Sequence, residues 1–157
     1  MIHVRPVEDR DILFIEMVYR STREKELDLT NWSELQKNAF IMMQSTAQYA
    51  DYKRLFPDAF FGVIEYKKKP AGRLYTGESE KEIRLLDITL LPAFRGKGIG
   101  TIILKDLIKK ANLQQKILSL HVVPDNPALQ LYLSLGFKHI NNSGRHYYME
   151  YRPTTLY

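Results

Sequence analysis

The segment Ile88-Thr89-Leu90-Leu91-Pro92-Ala93-Phe94-Arg95-Gly96-Lys97-Gly98-Ile99-Gly100-Thr101 constrains this chain more than any other. An apolar, β-prone run enters a glycine-rich turn. The turn opens onto Ile99, Ile102, Ile103, Leu107 and Ile108, spaced as one face of a helix. The next β-prone run, Lys116–Val122, must then be reached by a helical crossover, which makes its pairing parallel. Glycines let a backbone approach a ligand closely. The unpaired N–H groups and dipole at a helix start favour a phosphate or pyrophosphate, and Arg95 and Lys97 add positive charge there. A plain turn accounts poorly for three glycines in five residues. The P-loop pattern G-x-x-x-x-G-K-[ST] is absent. The dinucleotide fingerprint G-x-G-x-x-G fails because position 101 is threonine.

The rest of the chain sets this unit in an α/β frame. Ile2–Arg5 alternates as a short strand that Pro6 should stop. Apolar spacing from Val7 to Ser21 predicts a helix on Ile12, Phe14, Ile15, Met17, Val18 and Tyr19. Residues 22–32 read as a loop. Ser33 and Gln36 form a capping box for a helix to Leu55, with Gln36, Phe40, Met43, Ala47, Ala50 and Arg54 on one face. Ala59–Tyr66 and Pro70–Thr76 flank the turn Lys67-Lys68-Lys69, and Glu82–Leu91 follows the turn Gly77–Glu80. The glycine-loop helix should end near Ala111. Asn126 suits an N-cap, Pro127 a first helical position and Gly136 a C-terminal cap around a helix over 127–135. Phe137–Ile140 and His146–Arg152 close the chain as strands around Asn141–Gly144. The predicted order is β-α-α-β-β-β-α-β-α-β-β, with antiparallel hairpins and parallel crossovers.

Composition excludes several chemistries. The 157 residues fit one domain, expected over 1–157. They include no cysteine, so a thiol nucleophile or Cys-type zinc site is impossible. His3, His121, His139 and His146 form no metal-spaced pair, and no metal is expected. No apolar run approaches the roughly 20 residues of a membrane span, and acidic residues stand where a signal peptide needs an apolar core. A cytoplasmic protein without a membrane partner is the expectation. The net charge of +5 suits solubility or a polyanionic small ligand. Nucleic acid requires a concentrated basic stripe. Lys67–Lys69 is the one tight basic run, so no nucleic-acid partner is expected.

Arg95-x-x-Gly98-x-Gly100 resembles the acyl-CoA pyrophosphate motif [Q/R]-x-x-G-x-[G/A] of the GNAT N-acetyltransferases. Asn126-Pro127-Ala128-Leu129-Gln130-Leu131-Tyr132 through Gly136-Phe137 is similar to a second segment of that family, and Val4-Arg5-Pro6 looks like its start. The resemblance implies a mixed, mainly antiparallel sheet of about seven strands flanked by about four helices. It implies acetyl-CoA as co-substrate in a gap between strands four and five. Pantetheine would pair with Ile88, Thr89 and Leu90. The pyrophosphate would lie on Arg95, Gly96, Lys97, Gly98, Ile99, Gly100 and Thr101.

Acyl transfer to an amine requires loss of an amine proton, stabilisation of an oxyanion, and a proton for the departing thiolate. The resemblance gives the second task to the Leu90 N–H and the third to Tyr132, one of ten tyrosines. Asn126 is either a cofactor contact or a bare helix cap. The base is Glu82, which stands 13 residues before Arg95 as the glutamate of histone-type members does, or Asp87. Either could equally be a solvated strand residue. The acceptor, a small-molecule or peptide amine, should meet the 22–32 loop. There Glu24, Glu26 and Asp28 could attract a cation, with Trp32, Tyr49, Tyr52 and Tyr75 as pocket walls. The expected function is N-acetyl transfer, with a non-catalytic acyl-CoA-binding module as the alternative. The resemblance implies pairing through the C-terminal strands, and the aromatic tail Tyr147–Tyr151 suits a buried edge or interface, so a homodimer is expected.

Overall fold

A computed structural model describes residues 1–155. The elements in chain order are β1 (Ile2–Pro6), α1 (Ile12–Ser21), α2 (Glu24–Asp28), α3 (Glu34–Leu55), β2 (Phe60–Tyr66), β3 (Lys69–Glu78) and β4 (Glu82–Leu90). They continue with α4 (Ile99–Gln114), β5 (Ile117–Val122), α5 (Ala128–Ser134), β6 (Lys138–Ser143) and β7 (His146–Tyr151). The seven strands form a mostly antiparallel sheet in the order β1-β2-β3-β4-β5-β7-β6. The parallel pair is β4 with β5, through Glu82–Leu85 against Ile117–Leu120. The chain gathers into two compact units, Met1–Tyr75 with Asp87–Lys97, and Thr76–Leu86 with the chain from Gly98 onward.

In the first unit, α1 buries Ile15, Val18 and Tyr19. It starts later than its apolar spacing predicts because Val7 donates to the Phe61 carbonyl at 2.8 Å and Asp9–Asp11 forms a 3-10 turn. Pro6 lies within β1, opposite Gly62, rather than stopping the ladder. β1 is an edge strand, where a missing N–H is tolerated. The expected loop at 22–32 contains the short helix α2. Its Leu27 is buried with Tyr19 and Ile41, and Arg20–Glu24 and Arg23–Glu26 ion pairs of 2.8 Å brace it. The Ser33–Gln36 capping box starts α3 as predicted. Of the predicted face, Phe40 is half-buried and packs on the core, but Gln36, Met43, Ala47, Ala50 and Arg54 are exposed; Ile41 is buried instead, with Gln44, Gln48 and Tyr52 half-buried. Lys67 and Lys68 both take positive φ, as a two-residue primed hairpin turn requires.

In the second unit, α4 runs three residues past Ala111 and α5 ends before Gly136, whose φ is +102°. Asn126 Oδ1 accepts the Ala128 N–H at 2.9 Å, the capping contact that its position suggests. The last hairpin turns later than expected, at Gly144-Arg145, so Asn141–Ser143 belong to β6. β7 pairs with both β5 and β6. Tyr147–Tyr151 is therefore an inner strand of the sheet and not its edge. The edge strand on this side of the sheet is β6, exposed along its length.

Candidate functional site

The glycine loop leaves β4 through a tight anchor. The Leu91 N–H donates to the Ala71 carbonyl at 2.9 Å. Beside it, a Cβ on Gly72 would overlap the Thr89 carbonyl oxygen and lie 2.9 Å from Leu90 Cα, so only glycine allows β3 this close to the end of β4. Burial alternates along Glu82–Leu85 and then stops alternating: Leu86 to Leu90, including Ile88 and Thr89, are all half-buried. Pro92–Phe94 forms a 3-10 turn, and Arg95 Nε folds back on the Leu90 carbonyl at 2.9 Å. Gly96 and Gly98 have φ of +73° and +80°. Gly98 precedes α4, leaving the first-turn N–H groups of Ile99, Gly100 and Thr101 without intrahelical partners. Cβ atoms built on Gly96, Gly98 or Gly100 meet nothing within 4 Å. The result is an open cradle of backbone donors, exposed at Gly96, Lys97 and Gly98, that fits a pyrophosphate.

Asp87 lies on the same strand segment as Leu90 but is heavily engaged. Its Oδ2 accepts from Arg73 Nη2 at 2.6 Å and its Oδ1 from Thr89 Oγ1 at 2.6 Å. Arg73 is only 1% exposed, and Nη2 also donates to Gln48 Oε1 at 3.0 Å. Its guanidinium lies 4.9 Å from the Tyr75 ring and 5.4 Å from the Tyr19 ring. Arg73 Nε and Nη1 are buried with no hydrogen-bond partner. Each such group costs about 1–3 kcal/mol in a folded protein. Burial, the largest single effect, opposes the guanidinium's charge, but Asp87, Tyr75 and Tyr52 together outweigh it and raise its pKa. Burial first, and Asp87 second, raise the Tyr52 phenol, and burial raises Tyr75.

Glu82 occupies the opposite end of β4, eight residues and about 26 Å of strand from Leu90. The Ser119 hydroxyl and Arg84 Nη2 both donate to its Oε2, the latter at 3.1 Å. Arg84 Nε donates to Ser119 Oγ at 2.7 Å. Asp87 stands three residues before Leu90 along β4, and Glu82 eight. His121 lies across from Tyr148, with ring centroids 5.1 Å apart. Burial, then the positive Arg84, lowers its pKa.

Tyr132 is buried in α5, with its ring 5.6 Å from Phe137. Its carbonyl accepts the Phe137 N–H at 3.1 Å, so the residue also ends the helix. Asn126 is exposed and serves as the cap.

The sequence model of the acetyltransferase (GNAT) family matches residues 26–137, well over half of the chain. The chain belongs to the GNAT family. Among curated proteins, none matches it. Solved structures share the GNAT fold at low identity. PaiA N-acetyltransferase from Thermoplasma acidophilum, in complex with coenzyme A, superposes with a TM-score of 0.71 at 19% identity, covering 97% of this chain and 99% of that one. The ribosomal-protein-S18-alanine N-acetyltransferase from Escherichia coli gives 0.68 at 19%, covering 99% and 96%. Campylobacter jejuni N-acetyltransferase PseH, in complex with acetyl coenzyme A, gives 0.64 at 15%, covering 98% and 100%.

Within this GNAT chain, the acceptor candidates disperse. Glu24 and Glu26 are tied to Arg20 and Arg23. Trp32 packs edge-on against Phe40, and Tyr52 against Tyr75. Tyr49 and Tyr75 wall a cavity of about 630 Å³ with Ile12, Ile15, Met42 and Phe61. Sequence reasoning passed over Gly72, Arg73, Ser119 and His121. Gly72, an isolated glycine inside a strand, carried the one usable signal, since such a glycine marks a close backbone approach. Among the described residues no cluster of three metal-ligating side chains occurs, and no helix is long and apolar enough to cross a membrane.

Proposed function

We propose that this GNAT protein is an N-acyltransferase that moves an acetyl group from acetyl-CoA directly to a primary amine of a small molecule or a protein. The observation that carries this reading is the open cradle at Gly96, Gly98 and Gly100, set where α4 begins. In this reading the pyrophosphate lies on the backbone of Arg95–Thr101 and the pantetheine arm runs along Ile88, Thr89 and Leu90. The Leu90 N–H polarises the acetyl carbonyl; a fixed donor of this kind contributes about 10²-fold or more. Tyr132 supplies the proton to the departing sulfur, worth about 10²–10⁴-fold, and Asn126 is either a cofactor contact or only the cap it makes. The neighbours in complex with coenzyme A and acetyl coenzyme A support the cofactor class. The S18-alanine enzyme keeps a protein amine among the acceptors to be tried.

One observation favours a second reading. Both candidate carboxylates, Asp87 and Glu82, are committed to arginine and hydroxyl partners, which suits a module that binds acyl-CoA without transferring the acyl group. An acetyl-CoA turnover screen over polyamines, amino acids, aminoglycosides and peptide N-termini separates the two. Acetylated amine with stoichiometric free CoA supports the enzyme. Saturable acetyl-CoA binding with no product across the panel supports the module.

A further inference from the structure

We propose that Arg73 is a positioning residue for acyl transfer: through Asp87 it holds Thr89 and the end of β4, and so fixes where the Leu90 N–H points. This rests on the acyl-transfer reading above for its functional half. Its structural half rests on geometry alone.

A guanidinium buried to 1% exposure with Nε and Nη1 unpartnered is a poor choice for stability. Replacing a buried ion pair with packed apolar side chains is often neutral or stabilising. What this arginine adds is a connection. Nη2 bonds Asp87 Oδ2 at 2.6 Å, and Asp87 Oδ1 accepts from Thr89 Oγ1 at 2.6 Å, one residue before Leu90. Gln48 of α3 shares Nη2, and the rings of Tyr19 and Tyr75 flank the planar group. The neighbouring Gly72 leaves no room for a Cβ beside the Thr89 carbonyl and Leu90 Cα, so β3 runs close against β4 there. Two successive β3 residues thus act on the end of β4, Arg73 through Asp87 and Gly72 by its close approach to Thr89 and Leu90. Asp87, with both oxygens occupied, acts in this arrangement as a strut and not as the amine's base. Lysine would not substitute, because an ammonium lacks the planar group that lies against the Tyr19 and Tyr75 rings.

The test uses the full chain with Arg73→Met and the double variant Arg73→Met/Asp87→Leu. The double variant removes both charges, so its thermal stability should return to near wild type even if the single variant is weakened. Amide hydrogen exchange of Leu91, whose N–H bonds the Ala71 carbonyl, reads the grip on β4 without any acetyl transfer. We expect exchange at least tenfold faster in both variants. Single-turnover acetylation of whichever amine the wild type accepts should fall at least tenfold in both, with the acetyl-CoA KM changed less than threefold. Recovery of the rate along with stability in the double variant would make Arg73 purely structural and overturn the proposal. Unchanged Leu91 exchange in both variants would overturn it too. A wild type that acetylates no amine defeats the acyl-transfer reading instead, and the exchange measurement still decides whether Arg73 holds β4.

Discussion

Arg5 and Asp11 form a two-pronged ion pair, Nη1 to Oδ2 at 2.8 Å and Nη2 to Oδ1 at 2.9 Å, that ties the end of β1 to the residue before α1. Asp11 is buried and also accepts the Glu8 N–H at 2.8 Å, closing the turn. Hydrogen bonding from Arg5 lowers its pKa from 3.8 to about 2, with burial opposing. A carboxyl whose folded pKa is depressed stabilises the fold above its unfolded value and loses that contribution as pH falls through the folded one. The shift corresponds to about 2 kcal/mol at neutral pH. Asp11→Asn should therefore cost about 2 kcal/mol at pH 7 in urea unfolding. Its difference from wild type should shrink between pH 4 and pH 2. A gap that stays constant across that window would show that the pair does not contribute.

Gly72→Ala tests the close approach of β3 to β4. The new methyl would collide with backbone, which cannot step aside as a flexible side chain can. We expect a loss of at least about 2 kcal/mol, in the range of large core disruptions. An unchanged urea midpoint would mean that the strands separate there without cost.

Tyr132→Phe keeps the ring against Phe137 and the carbonyl that ends α5, and removes only the phenol. If the phenol protonates the leaving thiolate, the single-turnover rate should fall by roughly 10²-fold with acetyl-CoA affinity little changed. Steady-state rates could mask this if product release is slow. A single-turnover rate within threefold of wild type would end the assignment.

The features read correctly from sequence are those where local chemistry decides. The Ser33–Gln36 box, the Asn126 cap, the Gly136 stop and the glycine loop each follow from one residue's backbone or hydrogen-bonding preference. The misreadings are tertiary. On α3, apolar spacing pointed to the Met43–Ala47–Ala50 face, but Gln48 turns inward because it bonds Arg73, while Leu35, Met42 and Leu55 face outward. The helix α2 has good helix formers but only five residues, too few to be stable alone, and depends on Leu27 reaching Tyr19 and Ile41. Arg73 is the sharpest case. Arginine is almost never fully buried unless paired, and its partner Asp87 lies 14 residues away on the next strand.

The central claim is that the glycine cradle and the end of β4 receive acetyl-CoA. Titration of isotopically labelled protein with acetyl-CoA, followed residue by residue through backbone amide shifts, tests it most directly. Saturable shifts should be largest at Arg95–Thr101 and Ile88–Leu90. In Gly98→Asp, which places a carboxylate in the cradle, the apparent affinity should fall at least tenfold, about 1.4 kcal/mol. The absence of saturable shifts, or shifts centred elsewhere with Gly98→Asp binding as tightly as wild type, would contradict the account.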